Sequence, residues 1–384
     1  MRIAVNTRLL IPGRLDGIGR FTYETLMRIT QRHGEHQFVF LFDRKIPHEF
    51  LFSPNVTAAR LLPPARRPWL FRLWLDYSVA HFLRRTKPDV FLSPDGFLPL
   101  RTATPCLPVI HDLNFEHYPE DLPPAITKFY KTYFPQFAKN AERIATVSEF
   151  SKQDIVKQYK IAPGKIDVVY NGASEGFRAL NETEIADVRK KYAQGTPYFL
   201  FVGSLHPRKN LVRLLQAFDQ FRAKQNSNAK LLIVGQRYWS SFDLEQTISN
   251  MKHKDEVIFT GRLAPEELHR VMGAARALAY VPYFEGFGIP IVEAMRCNVP
   301  VLTANVSSMP EVGGEAVRYA DPFSVDSITE GLLALDSDET LRQQLLAKAK
   351  LQREKFSWDK SAELLWNSIL KTAGETGSDS VTIH

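Results

Sequence analysis

Cysteine is scarce in this chain of 384 residues: there are two, Cys106 and Cys297, far apart and without metal-ligand spacing. That argues against a disulfide framework and fits a reducing, cytoplasmic setting. No run of about 18 apolar residues occurs, so no membrane-spanning helix is expected. The most apolar candidate, Trp69 to Leu83, is broken by Arg72, Asp76 and His81. The opening MRIAVNTRLL reads as a strand interrupted by Asn6 and Arg8 rather than as a secretory signal. RNA-binding and helix-turn-helix signatures are also missing. Nucleic acid is therefore the weakest explanation of the net charge of +7, behind an anionic membrane face or phosphorylated small molecules.

What is present is ample for two packed cores: 44% apolar residues, 11% aromatic. The first half alternates strands and helices, the pattern of a parallel sheet covered on both faces. Strands are expected at Arg2–Asn6, Gln37–Phe42, Val56–Leu62, Asp89–Leu92, Leu107–Asp112, Arg143–Ser148 and Ile166–Tyr170. Helices are expected at Ile18–Arg32, Trp69–Arg85, Pro124–Asn140 and Glu149–Tyr159. A polar stretch from Asn171-Gly172 to Gly195 reads as a linker. A second block repeats the alternation, with strands starting at Tyr198, Lys230, Val257, Ala277, Pro300 and Val317. Its helices begin near Asn210, Ser241, Pro265, Pro290 and Ser324. Two doubly wound sheets in tandem place a ligand crevice at the carboxyl ends of their strands. After Leu341 the chain reads as helical to about Lys371, interrupted at Phe356-Ser357-Trp358, and the tail from Gly374 is polar.

The most informative stretch is Val281 to Pro300, VPYFEGFGIPIVEAMRCNVP. Strand-like residues meet the turn Glu285-Gly286-Phe287-Gly288, and Pro290 opens a helix that carries Glu293. Proline suits a first helical turn, where the amide it lacks would be unpaired. Gly286 and Gly288 let the backbone pass close to a ligand. The helix start, with roughly half a positive charge from its dipole, makes a seat for an anion. Glu285 and Glu293 flank that seat with seven residues between them. Taken alone, the two acids also read as solvated or capping carboxylates.

A second motif, Gly203-Ser204-Leu205-His206-Pro207-Arg208-Lys209-Asn210, follows a buried strand and precedes a helix. Cations there oppose the helix dipole, so an anion held between Arg208, Lys209 and the amides explains them better than chance. Arginine offers a planar fork of donors and lysine a compact charge, a pair suited to a diphosphate. At 4 Å and an effective dielectric near 20, one charge pair is worth about 4 kcal/mol. If about 3 kcal/mol of that emerges as a leaving diphosphate gains charge, it supplies roughly two decades of rate. Such a pair can do work that a metal does elsewhere. Asp336-Ser337-Asp338 matches a metal-binding Asp-x-Asp formally, but it lies between helices and reads as a cap.

In the first half, Asp16-Gly17-Ile18-Gly19-Arg20 precedes a helix. A dinucleotide fingerprint, with Asp43 as its ribose acid, competes for this segment. It lacks its third glycine, since Thr22 stands there, and the turn from the first strand is too long. His111-Asp112 ends the strand LPVIHD, where a parallel sheet presents residues to the crevice. His111 can donate a hydrogen bond or shuttle a proton. Ser148 reads as a helix cap.

The run from Glu285 to Glu293 resembles the Glu-x7-Glu motif of retaining glycosyltransferases of family 4, and the other motifs recur in that family's order along nearly the whole chain. The resemblance implies an α/β, GT-B fold, two Rossmann-like doubly wound parallel sheets facing across a cleft. An acceptor domain would span 1–175, with a final helix 359–384 packing back on it, and a donor domain 176–358. It implies a retaining, metal-independent hexosyltransferase needing no cofactor. Same-face attack by the acceptor would use the leaving-group oxygen as base. Arg208 and Lys209 would grip the donor diphosphate near Gly203. Glu293 would bond the ribose hydroxyls, and Glu285 the sugar hydroxyls with the amides of Phe287, Gly288 and Ile289 beside Gly286. Gly17 and Gly19 would let phosphates approach the backbone, and His111 would sit near the transferred sugar. The loop Gly261-Arg262-Leu263 would hold the base, and Ser307 to Gly314 would be largely structural.

Likeness to bacterial mannosyltransferases favours GDP-mannose as donor, with UDP-glucose open. The expected acceptor is a glycan or lipid-linked glycan of surface polysaccharide synthesis. The segment Ala65 to Lys87 mixes Trp69, Phe71 and Trp74 with Arg66, Arg67, Arg72, Arg84, Arg85 and Lys87. It reads either as an interfacial helix on the anionic inner membrane face or as a sheet-covering helix with cationic ends. Two other functions share the motifs, a nucleotide-sugar epimerase of the same architecture and a non-catalytic nucleotide-sugar binding protein.

Overall fold

The computed structural model describes residues 1–65, 68–236 and 242–375. Its internal contacts divide the chain into two compact units, Met1–Gly172 with the chain from Ser357 on, and Ala173–Phe356.

The first unit contains strands β1 (Arg2–Asn6), β2 (Gln37–Phe42), β3 (Val56–Arg60), β4 (Val90–Ser93) and β5 (Cys106–Pro108) in the parallel order β3-β2-β1-β4-β5. A parallel pair, β6 (Ile144–Thr146) and β7 (Ile166–Val168), joins through a bridge between Val109 and Ala145. The central strands are buried on both faces, which is why they read as apolar runs rather than alternations. Strand order reverses between β1 and β4. In open parallel sheets such a reversal is where ligands bind, outside the carboxyl ends of the strands.

The helix Gly17–Arg32 starts at Asp16, whose Oδ1 accepts the Gly19 amide at 2.9 Å. The helix Trp358–Thr372 lies along it. Arg28 Nε reaches Asp359 at 3.2 Å, and Trp366 stacks on His33 with ring centroids 3.9 Å apart. Where the chain leaves this unit, Gly172 lies against the point of return: a Cβ on Gly172 would stand 2.3 Å from the Trp358 nitrogen. The residues 376–384 of the expected tail lie outside the described residues.

One expectation is corrected in part. Pro68–Leu73, Trp74–Val79 and Ala80–Thr86 form one helical run with a π-helical middle. Two of the aromatics offered for membrane contact are core residues instead. Trp74 is fully buried and donates its indole N–H to the Leu61 carbonyl at 3.1 Å, and Phe71 packs edge-on against Phe97 at 4.7 Å. Arg72 pairs with Asp76 and lies over the Tyr133 ring. Arg66 and Arg67, and the side chain of Trp69, lie outside the described residues.

The second unit is a six-stranded parallel sheet, β8 (Tyr198–Val202), β9 (Lys230–Val234), β10 (Val257–Gly261), β11 (Ala277–Tyr280), β12 (Val301–Ala304) and β13 (Arg318–Ala320). Its order is β10-β9-β8-β11-β12-β13, so the reversal falls between β8 and β11. The polar stretch read as a linker contains a helix, Glu182–Ala193. A reciprocal capping box starts it: Asn181 accepts the Glu184 amide at 2.9 Å and Glu184 accepts the Asn181 amide at 3.0 Å. Ser241, near which another helix was expected, lies outside the described residues, and the helix is described from Phe242. Asp338 caps the helix Glu339–Gln352 by accepting the Leu341 amide at 2.8 Å, as a capping Asp should.

Candidate active site

In the second unit the site is built from the two loops at the strand-order reversal. After β8 the chain turns through Gly203 and a short 3₁₀ segment, Pro207–Lys209, then enters the helix Leu211–Lys224 at Asn210. After β11 it passes Tyr283 and Glu285 and enters the helix Ile289–Arg296 behind Gly288. Two ties hold the loops together, and a third fixes them to the segment after β13. The Tyr283 amide donates to the Arg208 carbonyl at 3.1 Å. The Asn210 side chain donates to the Val281 carbonyl at 3.0 Å and to the Pro322 carbonyl at 2.6 Å. Asn210 adopts a left-handed conformation, φ 62°, which asparagine tolerates better than most residues.

These ties bring the two predicted cations onto the predicted acid. Arg208 lies 3.1 Å from Glu285 Oε1, and Lys209 Nζ forms an ion pair with the same oxygen. Neither contact to Oε1 has hydrogen-bond geometry, so the attraction there is ionic rather than directional. Glu285 is buried, whereas Arg208 and Lys209 keep part of their side chains accessible. Lys209 Nζ also lies 2.6 Å from the Tyr280 hydroxyl and 5.0 Å from the centroid of its ring. Burial first, then the Glu285 charge, pushes the Tyr280 phenol well above its ordinary value. The Glu293 charge acts on Tyr280 in the same sense, as the last of these influences.

The glycine turn is shaped by what surrounds it. Gly288 has φ 97°, and a Cβ there would meet Met309 Cε at 2.7 Å. Ser308 donates its hydroxyl to the Glu285 carbonyl at 2.8 Å. Ser308 and Met309, in the Ser307 to Gly314 segment, thus hold the two ends of the turn Glu285-Gly286-Phe287-Gly288 that leads to Ile289. Phe287 is buried with its ring edge-on to Phe356, centroids 5.4 Å apart. On the other side, the ends of β8, β9 and β10 are laced together. The Gly203 amide donates to Val234, and the Gly235 amide to Gly261, both at 3.0 Å. Leu263 follows two residues after Gly261, on the partly exposed loop beyond β10.

In the first unit His111 follows the short β5 segment, near the end of β4. Its Nε2 is 2.9 Å from the Pro94 carbonyl, and its ring packs edge-on to Phe21 of the helix Gly17–Arg32 at 5.2 Å. A carbonyl only accepts, so Nε2 carries the proton and the neutral ring keeps its lone pair on Nδ1. Burial, the largest effect, pulls the His111 pKa below the ordinary imidazole value. The Pro94 carbonyl and the charges of Asp112, Asp95 and Asp16 oppose it without prevailing. Beside it, Asp95 accepts from Asn6 at 2.9 Å, Ser93 at 3.0 Å and Arg8 at 2.5 Å, which locks the ends of β1 and β4 together. Ser151 donates to the His111 carbonyl at 3.1 Å, while Ser148 caps its helix through the Ser151 amide at 3.0 Å.

The predicted glycines differ from each other. A Cβ on Gly19 would lie 3.0 Å from the Leu9 carbonyl, whereas Gly17 has nothing within 4 Å. Asp43, the acid a dinucleotide site would need, is instead spent on Arg44 at 2.7 Å and the Ala65 amide at 3.0 Å.

Sequence reasoning missed Tyr280, Gly235, Asn210 and the Pro94-Asp95 pair. Gly235 has a visible reason: a Cβ there would fall 1.8 Å from the Gly203 carbonyl oxygen. A glycine directly after an apolar strand was the available signal. Tyr280 carries no such signal, being one aromatic in an apolar strand.

Residues 15–175 match the Glycosyltransferase Family 4 domain, and residues 183–352 match Glycosyl transferases group 1. This chain belongs to the group 1 glycosyltransferases and has the GT-B fold. It is 31% identical to the O-antigen chain mannosyltransferase B of Escherichia coli over 307 residues, 79% of this chain and 77% of that one. It is 25% identical to the serotype-specific mannosyltransferase WbdA of Escherichia coli over 88% of its own length, but spans 42% of that longer protein. In fold it is similar to HepE of Anabaena, solved in complex with UDP-glucose. The TM-score is 0.75 over 97% of this chain and all of that one, at 16% identity.

Proposed function

We propose that this glycosyltransferase moves a hexose, mannose by preference, from a nucleoside-diphosphate sugar to a glycan or lipid-linked glycan in bacterial surface polysaccharide synthesis. The observation that carries this reading is the convergence of Arg208 and Lys209 on Glu285 where β8 and β11 end. Two cations set against one carboxylate leave net positive charge beside a glycine-flanked helix start, a seat for a diphosphate. Arg208 and Lys209 take the diphosphate and stabilise it as it leaves. Glu285 turns to the sugar hydroxyls and Glu293 to the ribose. His111, neutral and with its lone pair on Nδ1, accepts a hydrogen bond from the transferred sugar. Charge on the leaving group is met by side chains, so the reaction is metal-independent. The resemblance of the Glu285 to Glu293 segment supports retention of configuration, and the mannosyltransferase relatives support GDP-mannose over UDP-glucose.

The lipid-linked acceptor goes with peripheral attachment to the inner membrane face. Among the described residues no helix is long and apolar enough to cross a membrane. The exposed side of the 68–86 helical run nevertheless presents Leu73 and Tyr77 beside Arg84 and Arg85, with Lys87 at its end. Incubation with GDP-mannose or UDP-glucose, with and without acceptor oligosaccharides and with EDTA, tests the whole reading. Acceptor-dependent transfer that survives EDTA and yields the donor's anomeric configuration is expected. An altered sugar formed without acceptor would indicate an epimerase, and binding without turnover a non-catalytic protein.

A further inference from the structure

We infer that Tyr280 is a positioning residue for sugar transfer, its buried hydroxyl setting the Lys209 ammonium in the place from which it acts on the donor. The inference rests on the donor reading given above.

Tyr280 closes β11 with no exposed surface, and its hydroxyl lies 2.6 Å from Lys209 Nζ. An ammonium can only donate, so the hydroxyl oxygen accepts from Lys209. Burial in the sheet keeps the phenol protonated, so its oxygen stays a neutral acceptor for the ammonium.

Lysine carries its charge on a flexible four-carbon stem and is a poor fixed point by itself. Tyr280 supplies the fixed point, because its ring is enclosed at the end of a central strand and has no room to turn. When Glu285 turns to the sugar, the hydroxyl still holds Lys209. Without the hydroxyl, the two charges are left to their direct ion pair, and the ammonium is drawn toward the carboxylate instead of the diphosphate.

A double-mutant cycle tests this. Tyr280→Phe, Lys209→Ala and the double variant are compared for turnover at saturating donor, for GDP and UDP affinity by calorimetry, and for folding by circular dichroism and melting. Tyr280→Phe is expected to lower turnover about tenfold in the parent chain and less than about twofold when Lys209 is already alanine. Its GDP affinity should change less than its turnover. Should the phenylalanine variant melt lower, single-turnover rates well below both melting temperatures carry the same comparison. An equal loss in both backgrounds, or none in either, overturns the inference while leaving the proposed function standing. No transfer by the parent chain from either donor overturns that function, and this inference with it.

Discussion

His111 Nε2 and the Pro94 carbonyl oxygen stand 2.9 Å apart, which assigns the imidazole proton to Nε2 and the lone pair to Nδ1. Burial holds the ring neutral below its ordinary pKa of 6.5. Nitrogen NMR should therefore show an Nε2-protonated ring that is still mostly neutral at pH 6.5. Native His111 takes up its proton later than the unfolded chain does. Its contribution to stability is therefore complete above 6.5 and is lost as the pH drops below that value. Denaturant unfolding of the parent chain against His111→Gln from pH 7.5 to 5.5 should show the parent losing more. A ring already charged at pH 6.5 would contradict the assignment.

Lys209→Ala should cut turnover at least about tenfold while the fold persists, since it removes charge at the leaving group. Arg208→Ala should do the same and weaken diphosphate binding. Arg208→Lys should restore only part of the loss, because a fork and a point charge are different donors. Steady-state rates with melting curves check all three.

Gly235→Ala should destabilise the second unit by about 1–3 kcal/mol, the usual cost of forcing extra volume into packed structure. The added carbon would meet the Gly203 carbonyl, a backbone atom that cannot swing aside. Nucleotide affinity should fall with it, because Gly203 and Lys209 share one loop. Gly17→Ala, which has open space, should leave the melting temperature nearly unchanged.

How legible the chain was depends on where each signal resides. The Arg208–Lys209 loop, the Glu285 turn and His111 could be found because each is local: odd charges or glycines at the junction of a strand and a helix. Tyr280 could not, because an aromatic in an apolar strand looks like core, and its hydroxyl partner Lys209 lies 71 residues away. Asp95 is similar, since its ties to Asn6 and Arg8 exist only once β1 and β4 are neighbours. The helix Glu182–Ala193 is a different failure. Its Asn181 and Glu184 capping pair was present in the sequence, but the polarity of the stretch hid it.

The basic face of the first unit gives a further test. Arg84→Gln with Arg85→Gln and Tyr77→Ser should weaken sedimentation with vesicles rich in anionic phospholipid, at low salt more than at high salt. Transfer to a soluble acceptor should be unaffected. Unaltered vesicle binding would leave the segment as a sheet-covering helix alone.

The central claim is that Arg208 and Lys209, gathered beside Glu285, form the diphosphate seat. Calorimetric titration of GDP and UDP into the parent chain and into the Arg208→Ala, Lys209→Ala double variant tests it most directly. The account predicts binding of at least one nucleotide by the parent and roughly a hundredfold weaker binding, or none, by the folded variant. Equal affinity in the two proteins would contradict it.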